Sequence, residues 1–387
     1  MRVLYLTDSL SDLDGVGRYT LRLVSALEAL LPELEVEVLL ARKHRPTSES
    51  TPAHWKVKVQ LPPDYYFYMS RARFWGNTLR CLPGLAAAAR RADVVHAIKD
   101  YPHNWLALQA ARLAGKPCVA TAHGTYTLQP LLDDRHRGRA AATYAGLDHM
   151  ISVSNYTRGR LLETLAGRPP AADKITSIPN AVDAEHYRAP PELGVQPWHG
   201  KRFCLGLGEV KQRKGHHLAL AAWCRVAREQ EDLHYFLVGR RSGDAYEHSL
   251  LKIAAEAGVQ QRLHLVGNVS EAQKIDCLQR AEVFVHTPVT ASDGGFEGFG
   301  IVYLEAAASG TASIGTLDCG AEDAILPDET GFLVEQNSAA VEVALRRLLG
   351  DRDLRARMGA LGREFAVRCN WADNAAAVSE IYREVLA

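Results

Sequence analysis

The sequence lacks an excess of charge of either sign: 45 Lys+Arg are matched by 45 Asp+Glu, a formal net charge of zero. A chain so balanced has no general attraction for nucleic acid, and none is expected as a partner. Only a mild asymmetry is visible, with basic residues in slight excess over residues 1–190 and acidic ones over the remainder. The seven cysteines are odd in number and widely spaced. Without a C-x-x-C pair or zinc-finger spacing they exclude a metal finger and predict reduced, mostly buried thiols. No apolar run approaches the roughly 20 residues needed to span a bilayer. The opening MRVLYLTDSL turns polar too soon for a signal-peptide core, so the expected location is the cytoplasm. Also missing is G-x-S-x-G, which argues against a hydrolase nucleophile elbow. The G-V-G at 15–17 has Thr20 where a dinucleotide fingerprint needs its third glycine.

What is present is a long alternation of strand-like and helical runs. At 387 residues the chain exceeds one ordinary core and predicts two domains. VLYLT (3–7), EVEVLLA (35–41), DVVHAI (93–98), KPCVATAH (116–123) and HMISVS (149–154) read as buried strands, most followed by a helix. The proline-rich stretch from Ile178 to Gly200 interrupts the alternation. It then restarts with RFCLGLG (202–208), HYFLVG (234–239), RLHLVG (262–267), EVFVHTP (282–288) and TASIG (311–315). The expected architecture is α/β, two doubly wound, Rossmann-like parallel sheets facing a central cleft, with ligands at the carboxyl ends of the strands. The expected boundaries are 1–180, a linker at 181–200, a second domain at 201–370, and an amphipathic helix at 371–387.

The most informative stretch is DGGFEGFGIVYLEAAASG, 293–310. It lies between the end of a predicted strand and the start of a predicted helix. Glycines there allow close backbone approach, and the first helical amides with the dipole behind them suit a phosphate or diphosphate. Glu297 is out of place in a pure anion site but can accept hydroxyls from a sugar, and Glu305, two turns on, can do so from a second sugar such as a ribose. A ligand with hydroxyls at both ends and phosphates between is a nucleotide-sugar. IVYLEAAASG is too apolar for a plain exposed helix.

This stretch resembles the E-x7-E segment of the retaining glycosyltransferase family GT4, whose fold is GT-B. The resemblance covers the whole chain: DGVGRYTLRLVSAL, TAHGT, ISVSNYTRGRL, IPNAVD, LVGRR and GNVSEAQK all match family segments in order, and WADNAAAVSEIY resembles a helix that crosses back to the first domain. It implies an N-terminal acceptor domain and a C-terminal donor domain. It further implies that Glu297 contacts the transferred sugar, with Gly298, Phe299 and Gly300 close by. Glu305 would hold the ribose, Lys214 neutralise the diphosphate, His123 approach the donor sugar, and Gly15 and Gly17 form the N-terminal loop. No metal and no cofactor is implied. Asp12-Leu13-Asp14 only superficially resembles a metal-binding D-x-D.

The chain departs from the family pattern twice. Gly208-Glu209 stands where Gly-Arg is usual, so a diphosphate cation is replaced by a carboxylate; Lys211, Arg213 and Arg240 are candidates to compensate. Asp14 replaces a common glycine. With Asp8 and Asp12 it reads first as a group of solvated loop acids; if the three line the acceptor site, they would repel a phospholipid and favour a neutral or amine-bearing acceptor such as an amino sugar or aminocyclitol. Against that, YYFYMSRARFWGNTLR (65–80) interleaves aromatics with arginines and could face a membrane or a lipid-linked acceptor, or equally wall the acceptor site. The expected function is a retaining, metal-independent hexosyltransferase using a nucleoside-diphosphate sugar, UDP favoured, and a small-molecule or glycan acceptor hydroxyl. The alternatives are a membrane-associated transferase to a lipid-linked acceptor and a non-catalytic nucleotide-sugar binder on the same fold; membrane contact is not favoured.

Overall fold

In the computed structural model of the protein, residues 1–12, 14–41, 51–63, 69–291 and 294–387 are described. Leu13, residues 65–68 of the aromatic-arginine stretch, and Asp293 at the head of the glycine-rich motif lie outside them. The chain divides into two units, Met1–Asn180 together with Trp371–Ala387, and Ala181–Asn370. The stretch read as a linker therefore falls inside the second unit. Its Trp198 is buried there, and the indole Nε1 donates to Asp276 Oδ2 at 2.7 Å.

The first unit is built on β1 (Arg2–Thr7), β2 (Glu35–Ala41), β3 (Lys56–Leu61), β4 (Val94–Ala97), β5 (Cys118–Ala122), β6 (His149–Ser152) and β7 (Ile175–Ser177). All pairings are parallel, in the order β3-β2-β1-β4-β5-β6-β7. Consecutive Val3, Leu4, Tyr5 and Leu6 are buried because helices cover both faces of a parallel sheet, so the strands need no polar alternation. The order reverses between β1 and β4. There, strands on either side send their connections to opposite faces and leave a crevice at the carboxyl ends.

The second unit repeats the plan with β8 (Arg202–Leu207), β9 (Leu233–Val238), β10 (Leu263–Gly267), β11 (Val283–Val285), β12 (Ser313–Thr316) and β13 (Gly331–Val334). Its order is β10-β9-β8-β11-β12-β13, also all parallel, with the reversal between β8 and β11. Trp223 and Leu220, on the helix His216–Ala227, pack with Tyr235, Val283 and Ile314 to form its core. Side chains fix the helix starts: Ser270 and Gln273 form a reciprocal capping box for Glu271–Arg280, and Asp14 caps Gly15–Leu30 by accepting from Gly17 N.

The terminal helix Trp371–Leu386 packs on the helix Gly15–Leu30 of the first unit. A buried polar chain fastens it. His96, on β4, lies 2.6 Å through Nδ1 from the Tyr382 hydroxyl and 2.8 Å through Nε2 from Thr121 Oγ1. Burial pushes the His96 pKa down to about 3, so the ring is neutral and one nitrogen must accept. Tyr382→Phe leaves that nitrogen buried without its partner. Urea unfolding is expected to show a loss of about 1–3 kcal/mol, and an unchanged midpoint would remove this contact from the account of stability.

Candidate functional site

The switch point of the second sheet brings together two loops. One, from Gly208 to Gly215, leaves β8 and holds Lys214 in a short 3-10 turn, Gln212–Lys214. The other follows β11 and holds Glu297. They are fastened to each other by backbone: Val289 N donates to Arg213 O at 3.0 Å, and Thr287 Oγ1 donates to Gly215 O at 2.8 Å. Gly215 has φ +65°, and a Cβ there would fall 1.6 Å from the Thr287 carbonyl oxygen. Only glycine permits this approach.

The result is a tight ionic group. Glu297 Oε2 accepts from Lys214 Nζ at 2.5 Å and from Arg213 Nη1 at 3.1 Å, while Arg213 also donates to the Phe296 carbonyl at 3.0 Å. Burial alone would raise the Glu297 pKa, but the charges of Lys214 and Arg213 outweigh it and hold the carboxyl well below its ordinary range. Burial lowers the Lys214 pKa, and Glu297 only partly restores it. Behind the pair lies fully buried His286, whose Nε2 is 3.8 Å from Glu297 Oε2. Neither ring nitrogen of His286 has a hydrogen-bond partner among the described residues.

The carboxylate that replaces the expected arginine is occupied elsewhere. Glu209 pairs with Lys211 at 2.5 Å and with Arg240. Of the three cations considered as substitutes, the two at Glu209 neutralise it, and Arg213 is the one that stands beside Lys214. Gly300 follows, with φ +84°, at the N-cap of the helix Ile301–Ser309, where no side chain caps the first turn. Gly298 and Phe299 are buried, and the close packing of Gly320 against the Gly298 carbonyl fixes their backbone. Glu305 is fully buried in that helix. Its Oε1 lies 2.8 Å from the Tyr187 hydroxyl and 3.1 Å from Lys274 Nζ, and Tyr187 is also 2.6 Å from Glu271 Oε1. Sequence reading named Glu305 but neither Tyr187 nor Lys274, which come from the turn-rich stretch and from another helix.

In the first unit the loops after β1, β4 and β5 meet at the other switch point. Asp8 pairs with Lys99 at 2.7 Å, both side chains nearly buried. Asp14 accepts from Gly17 N at 2.7 Å and from Ser9 Oγ at 2.5 Å. Asp12 uses its backbone carbonyl to hold Arg18. Gly17 needs its missing side chain, since a Cβ would lie 2.4 Å from the Ser11 carbonyl, whereas Gly15 has open space. His123 follows β5 and sits edge-on to Tyr19, ring centroids 5.0 Å apart, with its backbone amide on Asp100 Oδ1 at 3.4 Å. Burial lowers the His123 pKa, opposed by the charge of Asp100. Asp100 is itself pushed up by burial and accepts from Thr127. Lys99 and Asp100 were not singled out in the sequence, although their place just past a buried strand end was the available signal.

Residues 13–186 match the family described as Glycosyltransferase Family 4, and residues 195–365 match glycosyl transferases group 1. Among relatives, a GDP-mannose-dependent alpha-(1-6)-phosphatidylinositol monomannoside mannosyltransferase of Mycobacterium tuberculosis is 31% identical over 287 residues, 70% of this chain and 71% of that protein. A phosphatidyl-myo-inositol mannosyltransferase of Mycobacterium leprae is 32% identical over 283 residues, covering 72% and 70% respectively. Among solved structures, the Anabaena protein HepE in complex with UDP-glucose matches with a TM-score of 0.78 at 16% identity, over 99% of this chain and all of that one. Sucrose-phosphate synthase of Thermosynechococcus elongatus matches with a TM-score of 0.79 at 20% identity, over 99% and 98%. The chain belongs to glycosyltransferase family 4 and is a glycosyltransferase of GT-B fold.

The ionic group has a pH signature. Glu297 is depressed in the folded chain, so its contribution is complete above its unfolded pKa, near the ordinary 4.5, and disappears as pH falls through the lower folded value. Glu297→Gln is expected to cost about 2 kcal/mol at neutral pH, because Lys214 and Arg213 lose their counter-charge in a largely buried site. Urea titrations of both proteins should show the gap narrowing below pH 4.5. A gap independent of pH would mean that the ion pair does not form.

Proposed function

We propose that the second unit binds the diphosphate of a nucleotide-sugar on Lys214, Arg213 and the uncapped start of the helix Ile301–Ser309, and that the first unit binds the acceptor. The observation that carries this is Glu297 holding both cations on one oxygen. In this structure the carboxylate is their counter-ion. A diphosphate brings its own negative charge, takes over the cations, and releases Glu297 to accept hydroxyls of the transferred sugar. A glutamate beside an anion site is then required by its chemistry, since without it two buried cations would stand unpaired in the absence of donor.

The reaction is transfer with retention at the anomeric carbon. The bond from that carbon to the diphosphate oxygen breaks, a bond to the acceptor hydroxyl oxygen forms on the same face, and the hydroxyl proton passes to the departing diphosphate. Lys214 and Arg213 stabilise the charge that develops on the leaving oxygen, the role a divalent metal plays in other phosphate chemistry. Among the described residues no three His, Cys, Asp or Glu side chains stand together as a metal site. The role expected of His123 rests on the family resemblance. GDP-mannose is the first donor to test because the name of the Mycobacterium tuberculosis relative specifies it, with UDP-sugars second. The names of both relatives specify phosphatidylinositol-based acceptors. The acids of the first unit, which argued for an amine-bearing acceptor, are in two cases occupied: Asp8 by Lys99 and Asp14 as a helix cap. Among the described residues no helix is long and apolar enough to cross a membrane.

Calorimetric titration of GDP and UDP without added metal, followed by turnover with the matching sugar conjugates, tests the proposal. Glu297→Gln should lower turnover on the order of 100-fold without weakening nucleoside diphosphate affinity. Arg213→Ala should weaken that affinity about tenfold, and Glu209→Ala should not. Loss of affinity in Glu209→Ala alone would transfer the diphosphate role to the Lys211–Arg240 pair and sink the assignment of Arg213. Glu305→Ala should weaken nucleotide binding; full affinity in that variant would reduce Glu305 to a structural acid.

A further inference from the structure

A cavity of about 500 Å³ opens in the first unit, lined in part by Arg71, Phe74 and Trp75 of the stretch in which aromatics alternate with arginines. Arg71, Arg135, Arg139 and His136 line it against Phe74 and Trp75, and no carboxylate is among its described lining residues. Its volume suits a ligand the size of a sugar or cyclitol phosphate. We propose that this cavity is the seat of a phosphate ester carried by the acceptor, a proposal that rests on the acceptor lying in the first unit.

Arg139 carries the argument. Its guanidinium carbon lies 4.7, 5.1 and 5.4 Å from the ring centroids of Phe74, Trp75 and Trp105, and its Nη1 is 3.5 Å from the Tyr101 hydroxyl. The rings pack against one another, Phe74 with Trp75 at 5.6 Å and Phe74 with Trp105 at 5.5 Å. Stacking fixes the guanidinium plane without cancelling its charge, since an aromatic face supplies no counter-ion. Two acids near it in the chain have partners: Asp134 pairs with Arg137, and Asp133 accepts from the backbone amide of Arg135. A pre-oriented guanidinium with two further arginines at the same cavity matches the charge and fork geometry of a phosphate.

Position ties the cavity to the acceptor. Tyr101 follows Asp100, whose carboxylate binds the His123 amide, and the Tyr101 hydroxyl is 3.2 Å from His136 Nδ1. The cavity therefore adjoins the β4 end of the first sheet, the switch-point side of that unit. The exposed Trp75, 44% accessible, gives the cavity one apolar wall, suited to the carbon face of a ring or the start of an acyl ester.

The phosphate ester has two sources, a soluble cyclitol phosphate or a phospholipid headgroup. Trp75 and Trp105 serve as reporters. Intrinsic fluorescence is followed on titration with myo-inositol phosphate, and with phosphatidylcholine vesicles that do or do not contain phosphatidylinositol. A saturable change is expected, weakened about tenfold by either Arg71→Gln or Arg139→Gln and abolished by the two together. Arg139→Lys should restore it in part. Response to the soluble ester alone supports the subsite and makes the acceptor soluble; response to phosphatidylinositol vesicles alone supports it and makes the acceptor a lipid. No response to either probe, or equal binding by the double variant, overturns the subsite. GDP and UDP titrations of the same samples separate the two readings, because nucleotide binding persists if only the subsite is wrong and is absent if the donor assignment fails.

Discussion

One carboxylate oxygen governs the second unit. Glu297 Oε2 binds two cations that arrive on a different loop, and the backbone around it is arranged so that this meeting cannot be avoided. Gly215 and Thr287 bring the loops into van der Waals contact, and the Tyr303 hydroxyl donates to the His286 carbonyl at 2.6 Å, holding the strand end beneath Glu297. A longer side chain at Gly215 would push Lys214 away from the carboxylate. The unpaired charges would then have to be hydrated or neutralised. The fold of these loops and the ionisation of the site are one constraint.

The same loop shows where the carboxylate that stands in place of an arginine goes. A carboxylate placed by itself at Glu209 would lower the potential at a diphosphate site and weaken anion binding. Here it is neutralised locally by Lys211 and Arg240, and its backbone carbonyl accepts from His216 Nε2 at 3.1 Å. Four residues along the same loop, Arg213 places its guanidinium beside Lys214 on Glu297. The loop has thus exchanged one arrangement of charges for another with the same net effect near Lys214.

Much of the architecture is legible in the sequence because buried parallel strands are written as continuous apolar runs. VLYLT and EVEVLLA became β1 and β2, and RFCLGLG and HYFLVG became β8 and β9. The short edge strands β3, β7 and β13 were not seen. KVKVQL of β3 keeps polar residues exposed at the sheet edge, and β7 spans only three residues, too few for any period to show. At the candidate site, glycine spacing pointed to loops that the fold brings together, since close approach demands glycine whatever the distant contacts are. Charge pairing was illegible. Whether Arg240 or Arg213 faces the diphosphate side depends on which carboxylate claims it, and Glu209 and Glu297 are 31 and 84 residues from those partners. The same holds for Glu305, whose partners Tyr187 and Lys274 lie 118 and 31 residues away.

The first unit shows why an acidic loop does not make an acidic site. Asp8, Asp12 and Asp14 lie within seven residues, and read along the chain they form a negative patch. In three dimensions Lys99 neutralises the first and the start of a helix absorbs the third, where the dipole favours a negative side chain. At the adjoining cavity Arg139 rests on the faces of Phe74, Trp75 and Trp105. The net field there is set by Arg71, Arg135 and Arg139, although nothing in the net charge of the chain announces it. From Arg71 the helix Arg71–Arg91 then presents Trp75 and Leu79 at successive i+4 steps, 44% and 68% exposed. A cation, an aromatic ring and an aliphatic side chain in one row grade from polar to apolar. A phosphate ester bound at Arg71 has an apolar path along which an attached chain can leave, and a soluble ester leaves that path in water.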